Sequence, residues 1–391
     1  LKSKKAAIVK GLRALCGQVV AGRYRLDELL AVGGMGAVFR ARHLQLEKDV
    51  AVKLLRPDLS NNNEVCARLQ REAKLLSRLD HPNCVRVFDF GNTREGTRYL
   101  VMELLRGRDL AGLISQPIPP ALTVDIIGQI LDGLDHAHRR GVLHRDVKPG
   151  NIRLVTDDKG RNFVKVCDFG IAKSVGSGKP DTIITQIGTI FGTPVYMSPE
   201  QAAGHDIDHR ADLYSVGVVM FEMLAGDPPF QQPDPIALLH AKMAGQLPSL
   251  PHVPPRIVEV VQCLMAVKRE QRYPSARDAA RALRAAAQHE QVVRMEVPKD
   301  WYAAADAVLP PVPADEGPGK RSDTSILRAF GAGLDKVLNE PTPHAGDRLV
   351  TGIHGSPEDK PAEGMSAADR YIDMDNLQLE EIGGDHDRAE D

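Results

Sequence analysis

Four groups of residues in this sequence have types and spacing that could do chemistry on a phosphate chain. The first is Ala31-Val32-Gly33-Gly34-Met35-Gly36, set between segments that read as strands. Glycines there let backbone N–H groups approach phosphate oxygens with no Cβ in the way, although a glycine-rich hairpin turn would read the same. The second is Lys53, at the end of the apolar run Val50-Ala51-Val52, together with Glu72. A buried, unpaired ammonium is costly, so Glu72 is a natural partner that would hold Lys53 toward the phosphates; both also read as surface charges on ordinary elements. The third and fourth are His144-Arg145-Asp146-Val147-Lys148-Pro149-Gly150-Asn151 and Asp168-Phe169-Gly170. Phosphoryl transfer needs a cradle for a triphosphate and neutralisation of its charge. It also needs a base or positioning group beside the attacking hydroxyl, and the sequence offers a candidate for each part.

The last two motifs resemble the catalytic loop and the metal-binding loop of the protein kinase superfamily, and agreement at so many fixed positions is highly specific. The resemblance covers residues 22–290. Met197-Ser198-Pro199-Glu200-Gln201, together with Gly33-Gly34-Met35-Gly36, is similar to the bacterial Hanks-type serine/threonine kinases. By this resemblance Asp146 is the catalytic base, and Lys148 reaches the transferred phosphate, as is typical of Ser/Thr rather than Tyr kinases. Asn151 and Asp168 supply oxygen ligands to Mg²⁺ (or Mn²⁺), a hard cation suited to such donors. Lys53 and Glu72 complete the catalytic set. Ala31, Val32, Gly33, Gly34, Met35 and Gly36 cover the ATP phosphates, with Ala31 standing where the first glycine is usual. Val38 and Ala51 roof the adenine, Met102 lines the back of its pocket, and the backbone of Glu103 and Leu105 meets its edge. Arg153 stands where an apolar floor is usual; it either stacks under the base or turns to solvent. Cys167 reads as a small buried residue, with a reactive thiol as the alternative.

The same resemblance makes residues 192–201 the substrate-docking end of the activation segment. Thr182, Thr185 and Thr189 are the candidate phosphorylation sites, and Arg145 would couple activity to a phosphate there. Thr193 is expected to hydrogen-bond near Asp146. Glu200 would pair with Arg272, and Asp212 would anchor the catalytic loop. The implied function is an ATP-dependent protein kinase that autophosphorylates and acts on protein Ser/Thr hydroxyls in intracellular signalling. A pseudokinase-like nucleotide-binding scaffold is the alternative. A kinase of small molecules should lack the docking segment. Expected partners are protein substrates and a kinase homodimer.

Positioning these groups needs two kinds of element. Residues 23–56 and 85–105 carry Val/Leu/Phe/Tyr-rich runs punctuated by glycine, which read as strands and hairpins. Between them residues 64–79 have helical spacing. From about residue 106 helices dominate: 123–140 with a Thr123 cap and a stop at Gly141, 211–225 apolar nearly all round and closed by Gly226, then 255–267 and 275–289. The expectation is an α+β, two-lobed protein kinase fold. An N-terminal extension (1–21) precedes a small β-rich lobe (about 22–105) with one main helix, and a larger helical lobe spans about 106–290. Residues 291–391 turn to Pro, Ala, Gly and acid and read as a mostly disordered tail, with one helix-like island at 325–338.

Composition narrows the function classes further. Residues 300–391 hold 8 basic and 20 acidic residues against 42 and 32 in the remainder, so the tail is −12 and the body +10. The basic residues are dispersed, which argues against nucleic acid. Five cysteines with no CxxC pair argue against a zinc site or a disulfide framework and fit a reducing compartment. No run is long and apolar enough to span a bilayer, and Lys10 and Arg13 interrupt any leader-like stretch. A cytoplasmic protein is expected. Because it starts at Leu1, some N-terminal sequence is expected to be missing.

Overall fold

The computed structural model describes residues 9–33, 36–55, 63–93, 96–156, 162–170, 194–232, 234–292 and 301. Its small lobe is a six-stranded antiparallel sheet in the order β1-β2-β3-β4-β6-β5. The strands are β1 Val19–Val20, β2 Tyr24–Gly33, β3 Gly36–His43, β4 Lys48–Leu55, β5 Val87–Asn92 and β6 Arg98–Glu103. Helix α1, Asn63–Leu76, lies between β4 and β5 in the chain.

The period of two along a strand sorts β4 into two faces. Val50, Val52 and Leu54 enter a small-lobe core with Leu26, Leu29 and Phe39. Ala51 instead joins the large cluster that continues into the other lobe, and Lys53, which alternates with it, is carried on that same face. Leu12 and Leu15, only 1% exposed, close the small core from the N-terminal side. The N-terminal extension thus contributes to the lobe it precedes. Turning from β2 to β3 brings Gly36 so close to β4 that a Cβ on it would stand 2.0 Å from the Leu54 carbonyl oxygen, so only glycine fits there.

The larger lobe is built from helices α2 Pro120–His138, α3 Pro199–Ala202, α4 Arg210–Ala225, α5 Pro235–Ala244, α6 Pro255–Leu264 and α7 Ala276–His289. Helix α4 is buried over most of its length, and packs against α2 and α6. It ends at Gly226 with φ 88°, the left-handed cap expected from the sequence. Ser275 caps α7 by accepting from the Asp278 N–H. Two expectations need correction. Helix α2 starts at Pro120 behind Pro119, so Thr123 lies inside the helix and not at its cap. The lobe also carries an antiparallel sheet of β7 Gly107–Asp109, β8 Ile152–Thr156 and β9 Asn162–Val166; Ile152 pairs with Val166, so the catalytic motif leading into β8 and the metal-binding motif leaving β9 meet at one end of it. No described helix is long and apolar enough to cross a membrane.

Candidate active site

Asp212, at the first turn of the buried α4, organises the catalytic loop. Its Oδ2 accepts from the backbone N–H of His144 and its Oδ1 from that of Arg145, at 2.8 and 2.7 Å. His138 Nε2, on α2, lies 2.8 Å from the same carboxylate. Burial works against ionisation of Asp212, but the His138 bond and charge and the His144 contacts hold its carboxyl below the usual range. The loop backbone is bent where these bonds grip it: Arg145 has φ 62°, a left-handed conformation that a side chain of its size adopts only under constraint.

His144 is buried and burial lowers its pKa, so the ring is neutral. A single tautomer serves both its contacts: Nε2 donates to the Cys167 carbonyl at 2.8 Å, and Nδ1 accepts the Asp146 N–H at 3.2 Å. Phe169 packs on the imidazole, ring centroids 4.7 Å apart, and the Gly170 N–H donates to the His144 carbonyl at 2.9 Å. The catalytic-loop motif and the Asp168-Phe169-Gly170 motif are therefore bonded to each other before any ligand arrives. Asn151 donates from Nδ2 to the Asp146 carbonyl and to its Oδ2, at 2.8 and 3.1 Å. Lys148 Nζ stands 3.7 Å from the same Oδ2. Base candidate, ammonium and amide thus form one cluster.

From the small lobe, Lys53 Nζ reaches Asp168 Oδ1 at 2.9 Å. Burial pushes the Asp168 carboxyl up, but Lys53 outweighs that, with help from Lys148, and holds it below its ordinary value. The expected partner was different. Lys53 pairs with Asp168 rather than with Glu72, whose Oε1 lies 3.9 Å from the Arg145 guanidinium. Glu72 remains beside the site, on α1, together with Phe169 and Gly170 along one cavity.

Of the adenine-pocket residues, Ala51 pairs with Met102 across β4 and β6, Val38 lies opposite Lys53 in the ladder, and both Ala51 and Met102 are buried toward the cleft. Glu103 keeps its N–H on the Arg86 carbonyl, while its carboxylate takes Lys165 at 2.5 Å; Leu105 is half-buried beside it. Val32 places its side chain in the small-lobe core. Ala31 is exposed and pairs with Val38, Gly33 pairs with Gly36, and Gly34 and Met35 lie outside the described residues. Arg153 donates to the Gly107 carbonyl at 2.7 Å, which ties its guanidinium to β7 instead of releasing it to solvent. Burial pushes the Cys167 thiol up to about 12, which disfavours the thiolate form.

The docking segment is described from Pro194 onward, so Thr182, Thr185, Thr189 and Thr193 lie outside the described residues, as does the island at 325–338. Ser198 caps α3 in a reciprocal capping box with Gln201. Gln201 Nε2 then donates to the Arg145 carbonyl at 3.2 Å, a link the sequence reading missed. Glu200 meets the fully buried Arg272 guanidinium through two bonds of 2.6 and 2.8 Å, the pairing expected. His138 was also missed; its place as the last residue of α2, six ahead of His144, was the available signal.

A β-rich lobe over a helical one, with a lysine, a catalytic-loop cluster and an aspartate facing each other across the cleft, defines the protein kinases as a class. A profile described as "Protein kinase domain" matches residues 24–284, and the chain belongs to that family. It is similar to the serine/threonine-protein kinase pkn3 of Myxococcus xanthus, 38% identical over 86% of this chain and 62% of that protein. It is likewise similar to the serine/threonine-protein kinase PknB of Mycolicibacterium smegmatis, 36% identical over 80% of this chain and 52% of that protein. The chain therefore spans less than two thirds of the length of these relatives. A crystal structure of the Mycobacterium tuberculosis PknI kinase domain superposes with a TM-score of 0.53 at 27% identity, covering 70% of this chain and 99% of that one.

Proposed function

We propose that the chain is a bacterial Hanks-type serine/threonine protein kinase that transfers the γ-phosphate of ATP to protein Ser/Thr hydroxyls. The observation that carries this reading is the convergence of Asp146, Lys148, Asn151 and the Lys53–Asp168 pair on one cleft. In this reading Asp146 orients the acceptor hydroxyl and takes its proton. Lys148 stands over the transferred phosphoryl group and offsets its charge, while Lys53 holds the phosphate chain. Asn151 and Asp168 are hard oxygen donors suited to Mg²⁺, and Mn²⁺ would suit the same pair. The fit is incomplete without substrate: among the described residues no three His, Cys, Asp or Glu side chains gather into a self-sufficient metal site. A cation here would draw its remaining ligands from phosphate oxygens, where it would neutralise charge that builds up during transfer.

A protein acceptor is favoured over a small molecule by the ordered, capped segment from Pro194 to Gln201 joined to the catalytic loop. Thr182, Thr185 and Thr189 are proposed as autophosphorylation sites, and dispersed free thiols fit a cytoplasmic setting. Incubating the purified chain with Mg·ATP and mapping its phosphopeptides tests the reading. Phosphate should appear on Ser and Thr, including at least one of those three threonines. Nucleotide binding with no transfer to the chain or to any protein offered would defeat it.

A further inference from the structure

Three consecutive carbonyls of the docking segment are gripped from the large lobe. Lys242, on α5, donates from Nζ to the Val195 carbonyl and to the Met197 carbonyl, each at 2.6 Å. The carbonyl between them, that of Tyr196, accepts Ser215 Oγ of α4 at 2.8 Å. The Tyr196 hydroxyl donates onward to Glu222 of α4, also at 2.8 Å. Every peptide oxygen from 195 to 197 therefore points at a fixed donor.

Lys242 is the unusual member. It is 1% exposed, and among the described residues its ammonium meets, besides the two carbonyls, the Tyr214 ring at 5.4 Å. Arg272 also lies over that ring, at 5.0 Å, with its charge offset by Glu200. No carboxylate forms an ion pair with Lys242 among the described residues, and burial pushes its ammonium down to about 7. An apolar side chain could fill the same space without the cost of burying a charge. What Nζ supplies and an apolar residue cannot is direction: two short hydrogen bonds, available to the amine in either protonation state, fix how the peptides at 195 and 197 are turned. The segment so fixed reaches the catalytic loop through Gln201 and the Arg145 carbonyl, next to Asp146.

We propose that Lys242 is a positioning residue for the protein substrate, setting through the Val195 and Met197 carbonyls the surface on which residues flanking the acceptor hydroxyl dock. This rests on the protein-kinase reading of the segment. The orientation of three peptides is a property of the bound polypeptide's site and not of the nucleotide's, so the two substrates should report differently on its loss.

The test uses the full chain as wild type, Lys242→Met and Ser215→Ala. Each is assayed with Mg·ATP on a peptide library with a Ser/Thr acceptor randomised on both sides, and then on the best peptide for KM and kcat. Thermal unfolding is measured on the same samples. Lys242→Met should raise the peptide KM about tenfold and flatten the library preference beside the acceptor, with the ATP KM within about twofold. Ser215→Ala, which removes a single neutral donor, should raise the peptide KM by about threefold. Unchanged peptide KM and preference in Lys242→Met would overturn the proposal, as would equal shifts in both KM values. Should Lys242→Met not fold, Ser215→Ala decides, and an unaltered peptide KM there overturns it. A wild-type chain silent on the whole library would defeat the kinase reading itself, and this inference with it.

Discussion

The two sides of the cleft are held in different ways. On the large-lobe side the catalytic loop hangs from Asp212 by two backbone bonds, with His138 on the same carboxylate, and Arg272 clamps the docking segment through a buried bidentate pair. These groups are almost fully enclosed, and each partner leaves another buried group exposed to loss. On the small-lobe side Lys53 forms an ion pair with an Asp168 side chain that is 41% exposed, and Glu72 approaches Arg145 at 3.9 Å. Such contacts are screened and exchangeable. The lesson is a division of labour: the large lobe carries an enclosed, preassembled frame, while the small lobe contributes one charge held to a partly exposed carboxylate.

If that division is right, the largest effects on stability should come from the enclosed frame. Asp212→Ala strands two backbone N–H groups and His138, and should cost about 3–5 kcal/mol of unfolding free energy in urea, with phosphoryl transfer lost. Glu200→Gln leaves the Arg272 guanidinium buried without its counter-charge and should cost about 3 kcal/mol. Lys53→Met reverses the pattern: the unfolding free energy should move by less than about 1 kcal/mol, while kcat falls by about 10²-fold or more. A large stability loss in that variant would erase the distinction between the two sides.

Two smaller effects follow from titration. Asp168, Asp212 and Glu200 all have folded-state pKa values held below the unfolded ones. Their contribution is therefore present above the ordinary carboxylate range and lost as pH falls through the lowered values, so wild-type stability should decline steeply below about pH 4. Glu222 has the opposite sign: burial pushes it up to about 7. It binds its proton more tightly when folded, so its contribution is present below the unfolded value and fades as pH rises toward 7. Glu222→Gln should remove that slope, on the order of 1 kcal/mol after screening, in unfolding curves between pH 4.5 and 7.5.

What could be read from sequence follows the same line between local and distant. The catalytic and metal-binding motifs are contiguous, so the family resemblance is dense enough there to point to Asp146, Lys148, Asn151 and Asp168, while strand alternation alone turns Lys53 to the cleft. The Glu200–Arg272 pair, 72 residues apart, was legible through the same resemblance and through nothing local. The partner of Lys53 was not legible, because it depends on how α1 is set against the large lobe. Nothing local decides between Glu72 and Asp168. Strand β7 is three residues long and exists by pairing with β8, which explains why it was invisible. Helix α5 had its signals in view, Asp234 capping before Pro235 and Gly245 closing the end. Without that helix Lys242 read as one dispersed charge among many. Thr123 misled for the reverse reason: a good capping residue sat one turn inside a helix already begun by Pro119 and Pro120.

The central claim is that Asp146 acts on the acceptor hydroxyl while the nucleotide is held by other groups. Asp146→Asn keeps the shape and the contact with Asn151, so the decisive measurement is its single-turnover transfer rate beside its ATP affinity in the presence of Mg²⁺. The account predicts ATP affinity within about threefold of wild type and a transfer rate lower by about 10³-fold or more. Transfer at the wild-type rate, with ATP still bound, would contradict it.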